Sequence, residues 1–438
     1  MGGDIVLYML GLLIVMIMLG VHIAIALAAC SALGVYLIFG SLDTAVSLLS
    51  NTAYEAVRKD VFAVIPLFVL MGDVIWRSGA AGDLYRICDR GLRFLPGRLA
   101  IATIAGNTVF AAVTGVSIAA AAAFSRIAYP EMKALGYSQK FALGAVAGSA
   151  CLGMLIPPSV LLIVWAILTE MSVGALFLAG ILPGIVLAGL FALYVIIAAL
   201  LKPELAPSSG KDLIERTPAQ KREEIIGGLG ILGMVVVVIG GIWTGVFTPT
   251  EAAGFGALTA MVLGYVKGMR RAEFMETLFQ AGRTTAPIML LLITAQMYSR
   301  LLAIGGGVNY IQGLFLGADL SPFLVIALMA LIWIVLGMLI DSVSIILLTV
   351  PIFAPIAMQL GHDPLAFAIF GILVIEAGLL TPPFGLLVFT VRGAVPDPTA
   401  TLSMIFRGAV PYFLLILVAA VLVLLVPGLA SWLPKVAL

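Results

Sequence analysis

The chain has 438 residues, 63% of them hydrophobic and only 10% charged, with a net charge of +1 at neutral pH. Soluble domains average about 25% charged residues, whereas apolar runs of about 18 residues or more recur along this chain, as expected of a polytopic helical membrane protein. The net charge says nothing about nucleic acid, and no basic stripe interleaved with aromatics points to it, so no nucleic-acid partner is expected and the lipid bilayer is the first partner.

Residues 4–40 form one apolar run, punctuated by Gly20 and His22, long enough for two spans. Its start, Ile5 to Leu19, lacks a basic n-region and an A-x-A site, so it reads as the first span and not a signal peptide. Residues 41–60 mix polar and apolar positions as an interfacial amphipathic helix would, and a third span follows at 61–76. Arg77, Arg86, Arg90, Arg93 and Arg98 then cluster before an apolar segment, 99–125, that is broken at Thr114-Gly115. The loop 126–140 adds Arg126, Lys133 and Lys140. Both flanks are basic and therefore cytoplasmic, so 99–125 is expected to be a re-entrant hairpin with its tip near Thr114–Ser117. Spans follow at 141–170, interrupted at Pro157-Pro158, and at 175–201. Residues 202–225, with five Lys/Arg and five acids, form a cytoplasmic linker.

The second half repeats the plan, with spans at 226–247 and 250–266, a polar interfacial segment at 267–283 and a span at 284–304. The loop 299–322 has one basic residue, Arg300. A second hairpin is expected over 323–350, broken at Asp341-Ser342, and the loop 351–365 has no Lys or Arg. A span over 366–391 is broken at Thr381-Pro382-Pro383, and a last span, 408–434, closes the chain.

The stretch VTGVSIAAAAAFSRIAYPEMKALG, which ends at Gly136, aligns without a gap with MLIDSVSIILLTVPIFAPIAMQLG, which ends at Gly361. Ser117 falls on Ser342, Pro130 on Pro355, Gly153 on Gly378, and Pro157-Pro158 on Pro382-Pro383. The flanks of the first hairpin hold eight Lys/Arg and those of the second hold one. The positive-inside rule therefore sets the copies on opposite faces, as inverted repeats over 1–201 and 226–438. This threading puts 19 of the 23 Lys/Arg inside, leaves Arg58, Lys59, Arg300 and Lys435 outside, and makes both termini periplasmic.

Broken helices at membrane depth must line a cavity or meet a ligand, because lipid cannot satisfy their backbone. Proline frees a carbonyl of the preceding turn; such carbonyls suit Na⁺, and half-helix N-termini suit anions. Each repeat offers a tip, Thr114-Gly115-Val116-Ser117 or Asp341-Ser342-Val343-Ser344. Each also offers a broken helix, Ile156-Pro157-Pro158-Ser159 or Thr381-Pro382-Pro383-Phe384-Gly385. Asp341 is open to two compatible readings, as a helix N-cap and as an ion contact. Glu376, deep in a span, is either an ion site or a group facing a polar interior, and Asn107 is similar; Asp73 reads as structural. The hydroxyls of Thr114, Ser117, Ser159, Ser342 and Ser344 are candidates for substrate contact.

Other signals carry no chemistry. Gly228-x-Gly230-x-x-Gly233 matches a dinucleotide fingerprint, with Glu251 about twenty residues on, but lies in a spanning helix with no preceding strand. Cys30, Cys88 and Cys151 lack metal or redox spacing, and His22 and His362 stand alone. No catalytic constellation argues for an enzyme.

The pieces TGVS, PEMKALGY, GMLIPPS, GVFTPTEAA and GLLTPPFGLLVF together resemble the large membrane subunit of TRAP (tripartite ATP-independent periplasmic) transporters over nearly the whole chain. The resemblance implies an all-α elevator carrier of the ion-transporter superfamily, importing organic acids such as dicarboxylates or sialic acids. It implies no cofactor, and Na⁺ as the only metal, a coupling ion held by Gly115, Val116, Ser117, Pro157 and Pro158 in one half. In the other half the implied positions are Asp341, Ser342, Thr381, Pro382 and Gly385. It implies two partners, a small four-helix membrane subunit and a soluble periplasmic substrate-binding protein, and a place in the bacterial inner membrane. The first tip departs from a family pattern of Ser-Gly-Ser-Ser, with Val116 in place of one hydroxyl. A stand-alone Na⁺/organic-anion symporter of the same broad fold stays open as the alternative.

Overall fold

A computed structural model describes residues 2–207, 217–307, 310, 313 and 321–437. Among these residues the chain is helical without strands. The first half comprises α1 (Gly2–Met18), α2 (Ile23–Phe39), α3 (Leu42–Arg58), α4 (Val64–Arg77), α5 (Ala80–Gly91), α6 (Arg98–Thr114), α7 (Ser117–Ala134), α8 (Gln139–Ala150), α9 (Val160–Thr169) and α10 (Val173–Leu201). The second half comprises α11 (Pro218–Trp243), α12 (Pro249–Val266), α13 (Arg271–Ile304), α14 (Pro322–Gly337), α15 (Ser342–Gln359), α16 (Pro364–Gly378), α17 (Leu386–Ala394), α18 (Leu402–Leu425) and α19 (Gly428–Ala437).

Local chemistry fixes many of these ends. Thr248 caps α12 in a capping box: its hydroxyl accepts the Glu251 N–H, while Glu251 accepts the Thr248 N–H at 2.8 Å. Pro249 fills the first helical position, where its missing N–H costs nothing. Thr217, Pro218 and Gln220 build the same device on α11. Glu251 is thus a cap, and the glycines Gly228, Gly230 and Gly233 lie inside α11, where Gly227 and Gly228 let Asp83 and Ile87 of α5 pack closely.

The duplication reaches the helix ends. Both ends of α15 lie 225 residues beyond those of α7. The hairpins are therefore longer than their apolar cores. The expected loops at 126–140 and 351–365 are helical through Ala134 and Gln359, with Pro130, Pro351 and Pro355 inside the helices. Proline and polar side chains end the apolar pattern there without ending the helix, because neighbouring helices satisfy the backbone proline frees.

The halves also differ. The break at Lys59–Ala63 separates α3 from α4, whereas α13 runs unbroken over 34 residues through Pro287. The expected division into an interfacial segment at 267–283 and a span at 284–304 is corrected by that helix: its polar first turns continue the span. Helix α5 leaves α4 at 70°. Residues 218–225 of the expected linker belong to α11, while 208–216 lie outside the described residues, as does most of 308–320. The expected closing span 408–434 starts earlier, at Leu402, and ends at Leu425, because Pro427 cannot continue the helix.

Charged side chains gather at one end of the helices. Arg77 pairs with Glu276 at 2.9 Å, Lys267 with Asp83 at 2.6 Å, Lys133 with Asp397 at 2.6 Å, and Arg90 with Glu224. Each pair joins two residues that the positive-inside threading assigns to the cytoplasmic side. At the opposite ends of α4 and α12 lies a cleft of about 530 Å³ lined by Lys59, Asp60, Glu170, Ser172, Thr248 and Thr250. The same threading puts all of these outside.

Small residues let the helices meet. A Cβ on Gly408 of α18 would fall on the Lys140 carbonyl and 3.0 Å from the Gly144 nitrogen of α8. A Cβ on Gly378 would sit 2.8 Å from the Gly337 Cα. Such backbone contact is the usual glue between membrane helices. Gly408→Val is expected to cost about 1–3 kcal/mol by overpacking, read as a lower melting temperature of the detergent-solubilised protein; an unchanged melt would contradict this contact.

Asp397 lies in the turn between α17 and α18. It accepts from Lys133 Nζ at 2.6 Å, from Tyr129 at 2.6 Å and from the Thr399 hydroxyl at 2.8 Å, tying the base of hairpin one to the second repeat. The Lys133 bond first, then those from Tyr129 and Thr399, hold this carboxyl below the usual range. A depressed carboxyl stabilises the fold above its unfolded pKa of about 3.9 and loses that contribution as pH falls further. Melting temperatures measured between neutral and acidic pH should therefore fall less for Asp397→Asn than for the parent chain.

Candidate functional site

The two hairpin tips converge on one carboxylate. Ser117 and Ser342 are the first residues of α7 and α15, and both side chains are buried. Ser117 Oγ donates to Glu376 Oε2 at 2.6 Å, and Ser342 Oγ donates to Glu376 Oε1 at 3.0 Å. Glu376, on α16, is 1% exposed, and none of the ion pairs among the described residues includes it. Helix N-termini supply the compensating field, each equivalent to about +0.5 of a charge. The position 225 residues earlier is Cys151, whose Sγ lies 3.7 Å from the Glu376 carbonyl oxygen. Residues related by the duplication thus touch each other here.

The tips are built differently. At tip one, Gly115 has φ +63 and closes α6 by donating to the Ala111 carbonyl at 3.0 Å. Val116 caps α7 without a side-chain hydrogen bond, as its hydrocarbon requires. The Gly115 carbonyl accepts from Val160 N–H at 3.2 Å, so tip one is bonded to the second half of its broken helix. A Cβ on Gly115 would collide with the Pro158 carbonyl. Residues 151–160, including Pro157, Pro158 and Ser159, are buried.

At tip two, Asp341 caps α15: Oδ1 accepts the Ser344 N–H at 3.0 Å and Oδ2 accepts the Ser344 hydroxyl at 2.5 Å. The bond equivalent to Val160–Gly115, from Gly385 to Ile340, is absent among the described residues. Pro382, Pro383 and Phe384 are exposed, and Gly385, with φ +53, opens α17 against the Phe406 ring. Both Pro-Pro bonds are cis.

Every position named as a Na⁺ or substrate candidate therefore lies at a tip or at the turn beside it, in two groups on either side of Glu376. Hydroxyl commitments separate them. Thr114 donates to the Phe110 carbonyl at 3.0 Å, Thr381 to the Ala377 carbonyl at 3.1 Å, and Ser159 to the Met154 carbonyl while capping α9. Asn107 donates to Ser149 at 2.6 Å inside α6–α8, away from the tips' serines. The carbonyls of Pro157, Pro158, Leu339 and Ile340 take no backbone hydrogen bond among the described residues. Hydroxyl, carboxylate and carbonyl oxygens form a hard donor set, which suits a hard cation and not a thiophilic metal. No cluster of three His, Cys, Asp or Glu occurs among the described residues. The sequence did not reveal that Glu376 joins both tips; its position 225 after Cys151, beside the break, was the available signal.

The family model described as "Tripartite ATP-independent periplasmic transporter, DctM component" matches residues 10–429. The C4-dicarboxylate TRAP transporter large permease protein of Pseudomonas aeruginosa is 33% identical over 87% of this chain and 88% of its own. The ectoine/5-hydroxyectoine large permease of Ruegeria pomeroyi is 29% identical over 97% of both. The sialic acid large permease of Vibrio cholerae is 29% identical over 90% of both. Among solved structures, the YdaH transporter of Alcanivorax borkumensis shares the fold, with a TM-score of 0.66 at 15% identity over 91% of both chains.

Gly115→Ala should cost about 1–2 kcal/mol for the left-handed backbone alone, plus the clash with Pro158. Gly136, at φ +79 with its nearest neighbour 3.9 Å from a built Cβ, controls for the backbone term. Gly115→Ala is expected to impair uptake much more than Gly136→Ala; equal effects would mean the Gly115–Pro158 approach is unimportant.

Proposed function

We propose, from the premise that this chain belongs to the DctM component family of TRAP transporters, that it is the Na⁺-coupled import permease for an organic acid anion. Transport by a multi-pass inner-membrane permease, and not catalysis, is what the family does. The observation that carries the Na⁺ reading is the convergence of two duplicated tips, each beside a Pro-broken turn, where the carbonyls of Pro157, Pro158, Leu339 and Ile340 take no backbone hydrogen bond among the described residues.

In this reading Gly115, Val116, Ser117, Pro157 and Pro158 hold one Na⁺, and Asp341, Ser342, Thr381, Pro382 and Gly385 hold another. The Thr114 and Ser159 hydroxyls donate to backbone carbonyls, whereas those of Ser117, Ser342 and Ser344 donate to the Glu376 and Asp341 carboxylates at the tips; in this reading substrate selection rests on these three serines and the N-termini of α7 and α15. An elevator movement fits the way contacts divide. Lys133–Asp397, Gly144–Gly408 and Gly337–Gly378 tie α7 to the turn before α18, α8 to α18, and α14 to α16, around the tips. Arg77–Glu276, Asp83–Lys267 and Arg90–Glu224 tie α4 and α5 to α11 and α13 in a second set. The partners in this reading are a small membrane subunit and a periplasmic binding protein, with both termini of this chain periplasmic.

Moving one charge across about 100 mV is worth roughly 2.3 kcal/mol. A dianion entering against an inside-negative potential therefore needs at least two Na⁺ to balance it, and a third makes transport electrogenic. In proteoliposomes carrying the permease and its partners, uptake is expected to follow an inward Na⁺ gradient and to carry net positive charge inward. Uptake indifferent to replacement of Na⁺ by K⁺ would refute Na⁺ coupling, and electroneutral dianion uptake would refute the third ion. Saturable uptake by this chain alone would favour the stand-alone symporter.

A further inference from the structure

Glu376 does more than fill a polar gap. It is buried at 1% exposure, on a helix that belongs to neither hairpin, and each of its two oxygens is taken by the first residue of a different hairpin helix. The partners are not arbitrary: Ser117 and Ser342 are duplicated positions, so one carboxylate bonds both copies of the same residue. At α15 the helix end already has a carboxylate cap, Asp341. At α7 it has none, because Val116 offers no acceptor. Glu376 is the carboxylate bonded at that end.

We infer that Glu376 is a positioning residue that yokes the two tips, so that cation occupancy at one tip sets the geometry of the other. This rests on the Na⁺ reading above. The physical argument is rigidity. Ser117 cannot turn its hydroxyl toward a cation beside Gly115 without changing its bond to Oε2. Ser342 is held to Oε1 of the same planar group, on the same carbon as Oε2. A shift of the carboxylate that suits one serine therefore moves the acceptor of the other. The tips differ: tip one is bonded to its broken helix through Val160–Gly115, and the equivalent bond at tip two is absent among the described residues. The yoke transmits the ordered geometry of the first to the second. Coupling of this kind makes the two cations bind cooperatively.

The test uses the purified permease with its membrane partner in lipid nanodiscs, with Na⁺ as the only added ligand and K⁺ holding ionic strength constant. Two readouts follow Na⁺: ²²Na⁺ binding and the rise in melting temperature. The parent protein should bind steeply, with a Hill coefficient near 2. Glu376→Gln should flatten binding toward a coefficient of about 1 and raise half-saturating Na⁺ by about fivefold or more, the scale of a typical coupling. Ser117→Ala and Ser342→Ala each cut one arm and should flatten the curve likewise, and they serve if Glu376→Gln does not fold.

A steep curve retained in Glu376→Gln, or in both serine variants, overturns the yoke. So does a variant that only lowers the melting temperature in Na⁺-free buffer and leaves the curve's shape unchanged, which would mark Glu376 as structural. A non-cooperative parent protein that still binds Na⁺ overturns the yoke and leaves Na⁺ coupling intact. No response of the parent protein to Na⁺ overturns the coupling itself.

Discussion

A helix that stops inside a bilayer leaves N–H and C=O groups that lipid cannot solvate, and the arrangement of this protein follows from where those groups find partners. At tip one they find each other, through Val160 and Gly115. At tip two a carboxylate cap takes the Ser344 N–H, and the carbonyls of Leu339 and Ile340 take no backbone hydrogen bond among the described residues. The close Gly contacts, the buried serines and the glycine turns at positive φ all serve to bring these ends within reach. Without that requirement there would be no reason for two Pro-Pro breaks and two hairpins to lie around one point.

Much of this was legible in the sequence, because its causes are local or periodic. The repeat at a constant offset located both tips and both broken turns, and counting Lys and Arg sorted the loops into two faces. The sorting is matched by side chains far apart in the chain: Arg77 meets Glu276, Asp83 meets Lys267, and Lys133 meets Asp397. What stayed hidden depends on tertiary contact. Hairpin one continues past its apolar core because Tyr129 and Lys133 reach Asp397, 268 and 264 residues away. No pattern within 126–140 announces that. Likewise α13 is continuous where its counterpart is split, since a polar first turn does not by itself end a helix.

Glu376 shows the limit most clearly. Its depth in a span was readable from hydropathy, but a lone acid among apolar residues has the same appearance whether it faces a cavity, an ion or two serines. Only the fold brings Ser117, 259 residues away, to its side chain. The family match then adds what geometry alone does not supply, that the chain is a transporter permease.

The contact between Cys151 and Glu376 has one more consequence. When two positions related by the duplication touch, the two copies meet at that point. In a pair of separate identical subunits an acid at that position would face its own copy, two like charges sharing one dry pocket. The only escape would be to lose the acid from both. Joining the halves in one chain removes the constraint: one side keeps the acid, and the other carries a thiol whose Sγ lies 3.7 Å from the backbone carbonyl oxygen of that residue. Covalent fusion thus lets this chain keep one acid at the point where its two copies meet, which no assembly of equal halves can do.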